Sequence, residues 1–371
     1  MSRIAYTKKL TNLYYSRCPV PSPLTLAMQL GWLQQKVLQK HNINISTHFE
    51  TPNPTDFQQH LSDVPINFLR QGGSVPSIWA RANNQDTCVL GVTWTDEYQT
   101  IIALPQSGIL SAKDLRGRRI GIPKYGIEID HARATALRGF SVILETEGMT
   151  LQDVEIVDLP DYEIPTIIRD GQIVATGKGR RGSYAYSSEI DAISNRTVDA
   201  VYVKDVRGAQ ATHLLGARVV SAINKHPDEW VRANNCTPRP LTVNRWLVRN
   251  RPDLVEDLLQ QIFLAGVWAN QNPNETRKLI SREIGWQESW VKYAYGENLH
   301  QHLRLSLDAN LLKHLNTFKN FLFEHKFIEH NFSLNDWVIK APLQKIINAS
   351  PRVEQYLNYP TDQQWLAPSA V

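Results

Sequence analysis

The chain predicts an α/β protein of two lobes, with largely parallel sheet and helices on both faces. Short β-branched runs alternate with helical stripes along most of its length, the pattern of strands joined by crossover helices. At 371 residues the chain is longer than one ordinary core organises, which predicts two lobes. Apolar residues at 42% and charged residues at 20% are normal for a soluble globular protein, and neither low-complexity tract nor internal repeat interrupts them.

The apolar run Leu13-Tyr14-Tyr15-Ser16-Arg17 reads as the first strand and ends at Cys18 and Pro19-Val20-Pro21. A helical stripe follows over 24–40 (Leu24, Met28, Leu30, Leu33, Val37), then an alternating strand over 43–50. Thr55 to Ser62 predicts a short helix carrying His60, capped by Thr55 or Asp56. Pro65 to Leu69 is a brief apolar run that leads into Arg70-Gln71-Gly72-Gly73, and a helix resumes from Ser74. Strands are predicted over 88–92 and 99–104.

A second unit opens at Ser111, with one capped helical turn ended by Gly117 and a strand from Arg119. Residues 130–147 form a helix stopped by Gly148, 154–159 and 199–203 are strands, and 207–215 is a helix. Between them 176–187, rich in Gly, Arg, Ser and Tyr, reads as a mobile loop placed to act as a lid. From Pro240 the pattern returns to the first unit, with a strand over 241–248 and helices over 253–270 and 309–327. The expected division is 1–103 plus 223–349 for the first lobe, 104–222 for the second, and 350–371 as a tail.

The net charge of +4 is spread along the chain, and the basic clusters at 116–119 and 178–181 are too short to argue for nucleic acid. Cys18, Cys88 and Cys236 form an odd count without a pairing motif, and neither Cys-x-x-Cys nor His-Glu-x-x-His is present. No disulfide framework, metal site or cofactor is therefore expected. The first nine residues lack an apolar signal segment and no stretch reaches the length of a membrane span. The expectation is a cytoplasmic monomer acting on a small anion.

Cys18 is the most informative residue. It stands at the carboxyl end of a strand and just ahead of a helix, where open α/β sheets bind ligands and where a helix N-terminus lowers a thiol pKa. On its own a lone cysteine there is most often an inert small hydrophobe. Cys88, among apolar strand residues, reads as core, and Cys236, in a polar loop, as incidental. His60 alone reads as a surface helix residue, and an Arg before Gly-Gly as a solvated turn.

The segment Asp114-Leu115-Arg116-Gly117-Arg118-Arg119-Ile120-Gly121-Ile122-Pro123 resembles the second-lobe start of periplasmic-binding-protein-like type 2 chains of the nitrate/sulfonate/thiamine-precursor group. Val198-Asp199-Ala200-Val201-Tyr202 and 214–220 resemble later stations of that fold. The resemblance implies two α/β lobes joined by crossing strands, with a ligand cleft between them. Tyr15-Ser16-Arg17-Cys18-Pro19-Val20-Pro21, then His60, then Arg70-Gln71-Gly72-Gly73, resemble the active-site stations of the 2'-hydroxybiphenyl-2-sulfinate desulfinases.

Carried over residue by residue, this implies Cys18 as the catalytic thiol and Arg70 as the sulfinate-binding guanidinium. Backbone N–H groups at Gly72 and Gly73 would help Arg70, and His60 would hydrogen-bond within the site. The family has aromatic residues where this chain has Leu61 and Gln71, which makes the pocket wall less suited to a biaryl group. The implied reaction is hydrolytic cleavage of a carbon–sulfur bond in an organic sulfinate, with Cys18 either protonating carbon or attacking sulfur. The competing reading is a non-catalytic transporter-type binding protein for a small sulfonate or carboxylate. A third branch, thiamine-pyrimidine synthesis, is expected to carry a cysteine-rich motif that three scattered cysteines do not supply.

Overall fold

A computed structural model describes residues 10–16, 18–48, 64–161, 163–169, 172–178 and 185–349. Their strands are β1 (Asn12–Ser16), β2 (Asn44–His48), β3 (Phe68–Gln71), β4 (Thr87–Thr93), β5 (Gln99–Ala103) and β6 (Arg119–Pro123). After these come β7 (Glu155–Leu159), β8 (Glu163–Arg169), β9 (Gln172–Lys178), β10 (Ala200–Lys204), β11 (Arg218–Ala222) and β12 (Arg239–Asn244). Among the described residues they assemble into two five-stranded sheets, ordered β2-β1-β3-β12-β4 and β11-β5-β10-β6-β7, plus the hairpin β8-β9.

Each sheet is mixed rather than purely parallel, and the reason is the crossing of the chain. β1 runs parallel to β2 and β3, whereas β12 runs antiparallel to β3 and β4. In the second sheet β10 is parallel to β6 but antiparallel to β5. β5 and β12 are the strands that arrive from the other sheet. Each starts beside the carboxyl end of its neighbour, as the pairings Lys204↔Gln99 and Gln71↔Leu241 show, and so runs the opposite way. Gln99–Ala103 thus belongs to the second sheet, and the outward crossing lies before Gln99 rather than after residue 103.

Three local readings differ from the sequence expectation. The helix expected over 24–40 stops at Gln29, because Gly31 turns the backbone left-handed (φ 72°), and a wider π-type turn resumes over Leu33–Leu38. The strand expected over 241–248 ends at Asn244, whose side chain accepts from the Trp246 N–H and caps a helix over Arg245–Asn250. The loop expected over 176–187 begins inside β9, since 163–169 and 172–178 pair as an antiparallel hairpin. Asp170-Gly171 between those runs was its sequence signal. The predicted helix over 55–62, residues 179–184 of the loop and the tail 350–371 lie outside the described residues.

The first sheet packs against Pro23–Gln29 and the long helix Pro252–Gln271, whose buried face includes Leu254, Leu258, Ile262 and Phe263. The helix Ser74–Ala82 and Phe318 and Leu322 of Ala309–Glu324 share a second cluster with Val89 and Trp337. His131–Thr146 packs on the second sheet, where Gly139 leaves room for the Tyr202 ring. No helix of the described residues is long and apolar enough to cross a membrane.

Glu189, in the helix Ser187–Ser194, is 2% exposed, and its Oε2 has no partner among the described residues. Burial, with Asp130 and Asp161 adding repulsion, pushes its carboxyl up to about 7. A carboxyl whose folded pKa is raised destabilises the folded state fully above that pKa and ceases to do so below its unfolded value. Glu189→Gln is therefore expected to stabilise the protein by about 3 kcal/mol at pH 8, and by almost nothing at pH 4.5. Urea denaturation of both proteins at the two pH values checks this; equal differences at both would refute it.

Candidate functional site

The site is built by the parallel ladder of β1 and β3. Tyr14, Tyr15 and Ser16 pair with Phe68, Leu69 and Arg70, so two further residues along each chain bring Cys18 beside Gly72. A Cβ on Gly72 would lie 2.6 Å from the Cys18 Cβ, 2.7 Å from its Sγ and 3.2 Å from the Arg70 Nη2. The thiol and the guanidinium, far apart in sequence, thus meet over one glycine. Glycine is required there because a methyl group would overlap the thiol.

Arg70 is 1% exposed, and its environment is unusual for a buried cation. Its Nη1 donates to the Gly73 carbonyl at 2.9 Å and to the Ser77 Oγ at 3.1 Å, both neutral acceptors. The Nε is buried without a partner, and among the described residues no carboxylate pairs with Arg70. Two other buried arginines show the alternatives. Arg239 pairs with Glu97 at 3.1 Å, and Arg138 donates to the Ala233 and Trp230 carbonyls beneath the Trp230 and Phe321 rings. An uncompensated buried charge costs about 3–5 kcal/mol, so the Arg70 guanidinium calls for an anion.

The turn after Arg70 supplies further donors. The backbone N–H groups of Gly72, Gly73 and Ser74 have no acceptor among the described residues, and the buried Ser74 Oγ has none either. They lead into the helix Ser74–Ala82, whose N-terminus adds a partial positive charge. A nest of this kind suits an oxyanion. Gln71 turns away from that role: its Oε1 accepts from the Leu24 N–H at 3.3 Å and its Nε2 donates to the Thr93 Oγ1 at 3.4 Å. It ties the helix Pro23–Gln29 to the sheet instead of offering a free donor. His60 and Leu61 lie outside the described residues.

Cys88 is fully buried and burial pushes its thiol up to about 12, in keeping with a core residue. Cys236, expected as incidental in a polar loop, is 5% exposed with a left-handed backbone (φ 73°). Burial raises its thiol pKa, against the opposing pull of Lys204, Arg239 and Arg70. Near it lie charged residues the sequence did not single out. Glu97 accepts from the Lys204 Nζ at 2.5 Å and from the Arg239 Nη2 at 3.1 Å, bridging the end of β10 to the start of β12. The signal for these residues was positional, since each flanks a crossing strand. Among the described residues no cluster of His, Cys, Asp or Glu could hold a metal ion.

Comparison with known proteins gives this geometry a context. The profile described as NMT1/THI5 like matches residues 74–276. The 2'-hydroxybiphenyl-2-sulfinate desulfinase of Rhodococcus erythropolis is 26% identical over 363 residues, covering 91% of this chain and 94% of its own. Among solved structures, a cysteine-to-serine variant of the enzyme DSZB in complex with biphenyl-2-sulfinic acid superposes with a TM-score of 0.68 at 23% identity, covering 91% of this chain and 99% of that one. The periplasmic aliphatic sulphonate binding protein SsuA of Escherichia coli gives 0.62 at 13% identity, covering 90% and 93%. The periplasmic-binding-protein-like α/β fold expected from the sequence is thereby borne out.

Gly72→Ala tests the packing at the centre of the site. The added methyl would meet the Cβ of Cys18, which only backbone movement can displace. Urea denaturation should show a loss of about 1–3 kcal/mol, the usual penalty for overpacking. A stability equal to wild type would mean that the two strand ends are not in contact.

Proposed function

The chain belongs to the NMT1/THI5-like family, and from that premise we propose that it is a sulfinate desulfinase, hydrolysing the carbon–sulfur bond of an organic sulfinate to release sulfite. The observation that carries the reading is the pairing over Gly72 of the Cys18 thiol with a buried Arg70 that has no carboxylate partner among the described residues. Arg70 binds one or two sulfinate oxygens through its planar fork, and the Gly72-Gly73-Ser74 amides take the other side of the head group. The desulfinase relative supports the substrate class, and the resemblance of the Cys18 and Arg70 segments to that family's active-site stations supports their roles. His60 is assigned a hydrogen-bonding role by the same resemblance. The compartment is proposed as the cytoplasm and the working form as a monomer.

Cys18 acts as the acid. Its S–H proton passes to the carbon bearing sulfur as the carbon–sulfur bond breaks, with the bond's electron pair going to that new C–H bond. This leaves the protonated organic product, sulfur dioxide and a thiolate. Water adds to sulfur dioxide to give hydrogensulfite, and the proton released restores the thiol. Attack of a thiolate on sulfur is the other route, which the negative charge of a bound sulfinate disfavours. Donors that tighten on the departing SO₂ group would contribute roughly 3 kcal/mol each.

The sulfonate-binding neighbours favour a second reading, a carrier that uses the same anion nest without turnover. One experiment separates them. Wild type is expected to release sulfite from aryl or alkyl sulfinates, and Cys18→Ser to bind the same sulfinates while releasing at least 100-fold less. Equal release from both proteins would remove Cys18 from the chemistry. Binding with no release by wild type would favour the carrier.

Replacing the buried cation gives an independent check. Arg70→Met removes a charge that has no carboxylate partner among the described residues, so in anion-free buffer it should melt at or above the wild-type temperature. It should also lose the thermal shift that sulfite gives wild type. A large fall in Tm in that buffer would mean that Arg70 serves the fold and not an anion.

A further inference from the structure

The segment that carries the chain back into β12 brings an amide to the anion nest. We infer that Asn235 donates its Nδ2–H to the bound oxyanion, a role that rests on reading the nest as the sulfinate head-group site. Asn235 is 5% exposed, and its Oδ1 accepts from the Val75 N–H at 3.1 Å. That bond fixes which end of the amide is oxygen, because an N–H requires an acceptor. The Nδ2 end has no acceptor among the described residues; a Cβ on Gly73 would lie 2.6 Å from the Oδ1 and 3.1 Å from the Nδ2, so the whole amide edge borders the turn. The open N–H groups of Gly72, Gly73 and Ser74 and the orphaned Ser74 Oγ border the same turn.

Asn234 explains how this amide is held. Its Nδ2 donates to the Thr135 carbonyl at 3.0 Å and reaches the Gln99 Oε1 and the Tyr202 hydroxyl at 3.4 Å, all on the second-sheet side. Its Oδ1 accepts from the Asn235 N–H at 2.8 Å. Two consecutive asparagines therefore grip opposite lobes. One is anchored on the second sheet, and the other presents a neutral donor to an anion seated on the first. A neutral donor adds directionality where Arg70 already supplies the charge.

Calorimetric titration of the full chain with sodium sulfite and sodium benzenesulfinate at pH 8 tests the assignment, using wild type, Asn235→Asp and Asn235→Ala. The aspartate keeps an acceptor for the Val75 N–H at a helix N-terminus, so its Tm in anion-free buffer should equal or exceed wild type. It should nevertheless bind both anions at least 100-fold more weakly, and the alanine at least 10-fold more weakly. Wild-type affinity in either variant would overturn the role of Asn235. In particular, weakening by alanine alone would make it only a helix cap. If wild type itself binds neither anion and releases no sulfite, the anion-site reading fails and takes Asn235 with it. If wild type binds and releases normally while the variants match it, only the Asn235 assignment fails.

Discussion

The structure turns on a positive charge buried where the described residues supply no negative one. Arg70 sits at the end of β3 with its guanidinium against neutral acceptors, and on the proposed reading a bound anion would offset its cost in free energy. A carrier and an enzyme would both exploit that arrangement, since each needs affinity for a small oxyanion. What distinguishes this chain is the neighbour of the charge. The thiol of Cys18 touches the same glycine as the guanidinium, so whatever anion neutralises Arg70 is held beside a group able to give up a proton.

The carboxyl ends of the strands set this geometry and the crossings reinforce it. β1 and β3 deliver Cys18 and Arg70 from the first sheet, while Glu97 stands just ahead of β5 and Arg239 at the start of β12, the strands that cross between the sheets. Glu97 is clamped by Lys204 from the second sheet and by Arg239 from the first. This carboxylate satisfies two buried cations at the junction, whereas Arg70 has no carboxylate among the described residues. Among the described residues the distribution of charge is thus uneven: paired at Glu97 and unpaired at Arg70.

Much of this was legible in the sequence, for identifiable reasons. Apolar runs and alternation exposed most strands, though not β8, β9 or β11, and Cys18 and Arg-x-Gly-Gly were readable because proline and glycine punctuate strand ends. The break at Gly31 was not, since a left-handed glycine inside an apolar stripe leaves the stripe intact. The antiparallel direction of β5 and β12 depends on which sheet a strand joins, which periodicity does not report. Asn234, Asn235 and Arg239 lie in what reads as a polar loop, and only their burial between the lobes gives them meaning. Gln71 was placed on the pocket wall by resemblance, whereas its amide is occupied at both ends by the helix and the sheet.

The glycines explain why so small a site can hold two reactive groups. At Gly72 the missing side chain is the space in which sulfur and guanidinium meet, and at Gly73 it is the space that the Asn235 amide fills. A bulkier residue at either position would push one of these groups away from the oxyanion. The open amides on the same turn need an anion oxygen as much as the cation does, because an unmet donor in a dry site carries its own penalty. An oxyanion with several oxygens satisfies them together, whereas a halide or a lone carboxylate oxygen would leave some open. On the proposed reading, the nest would select the head group by counting acceptors and leave the choice of organic group to walls lying beyond it.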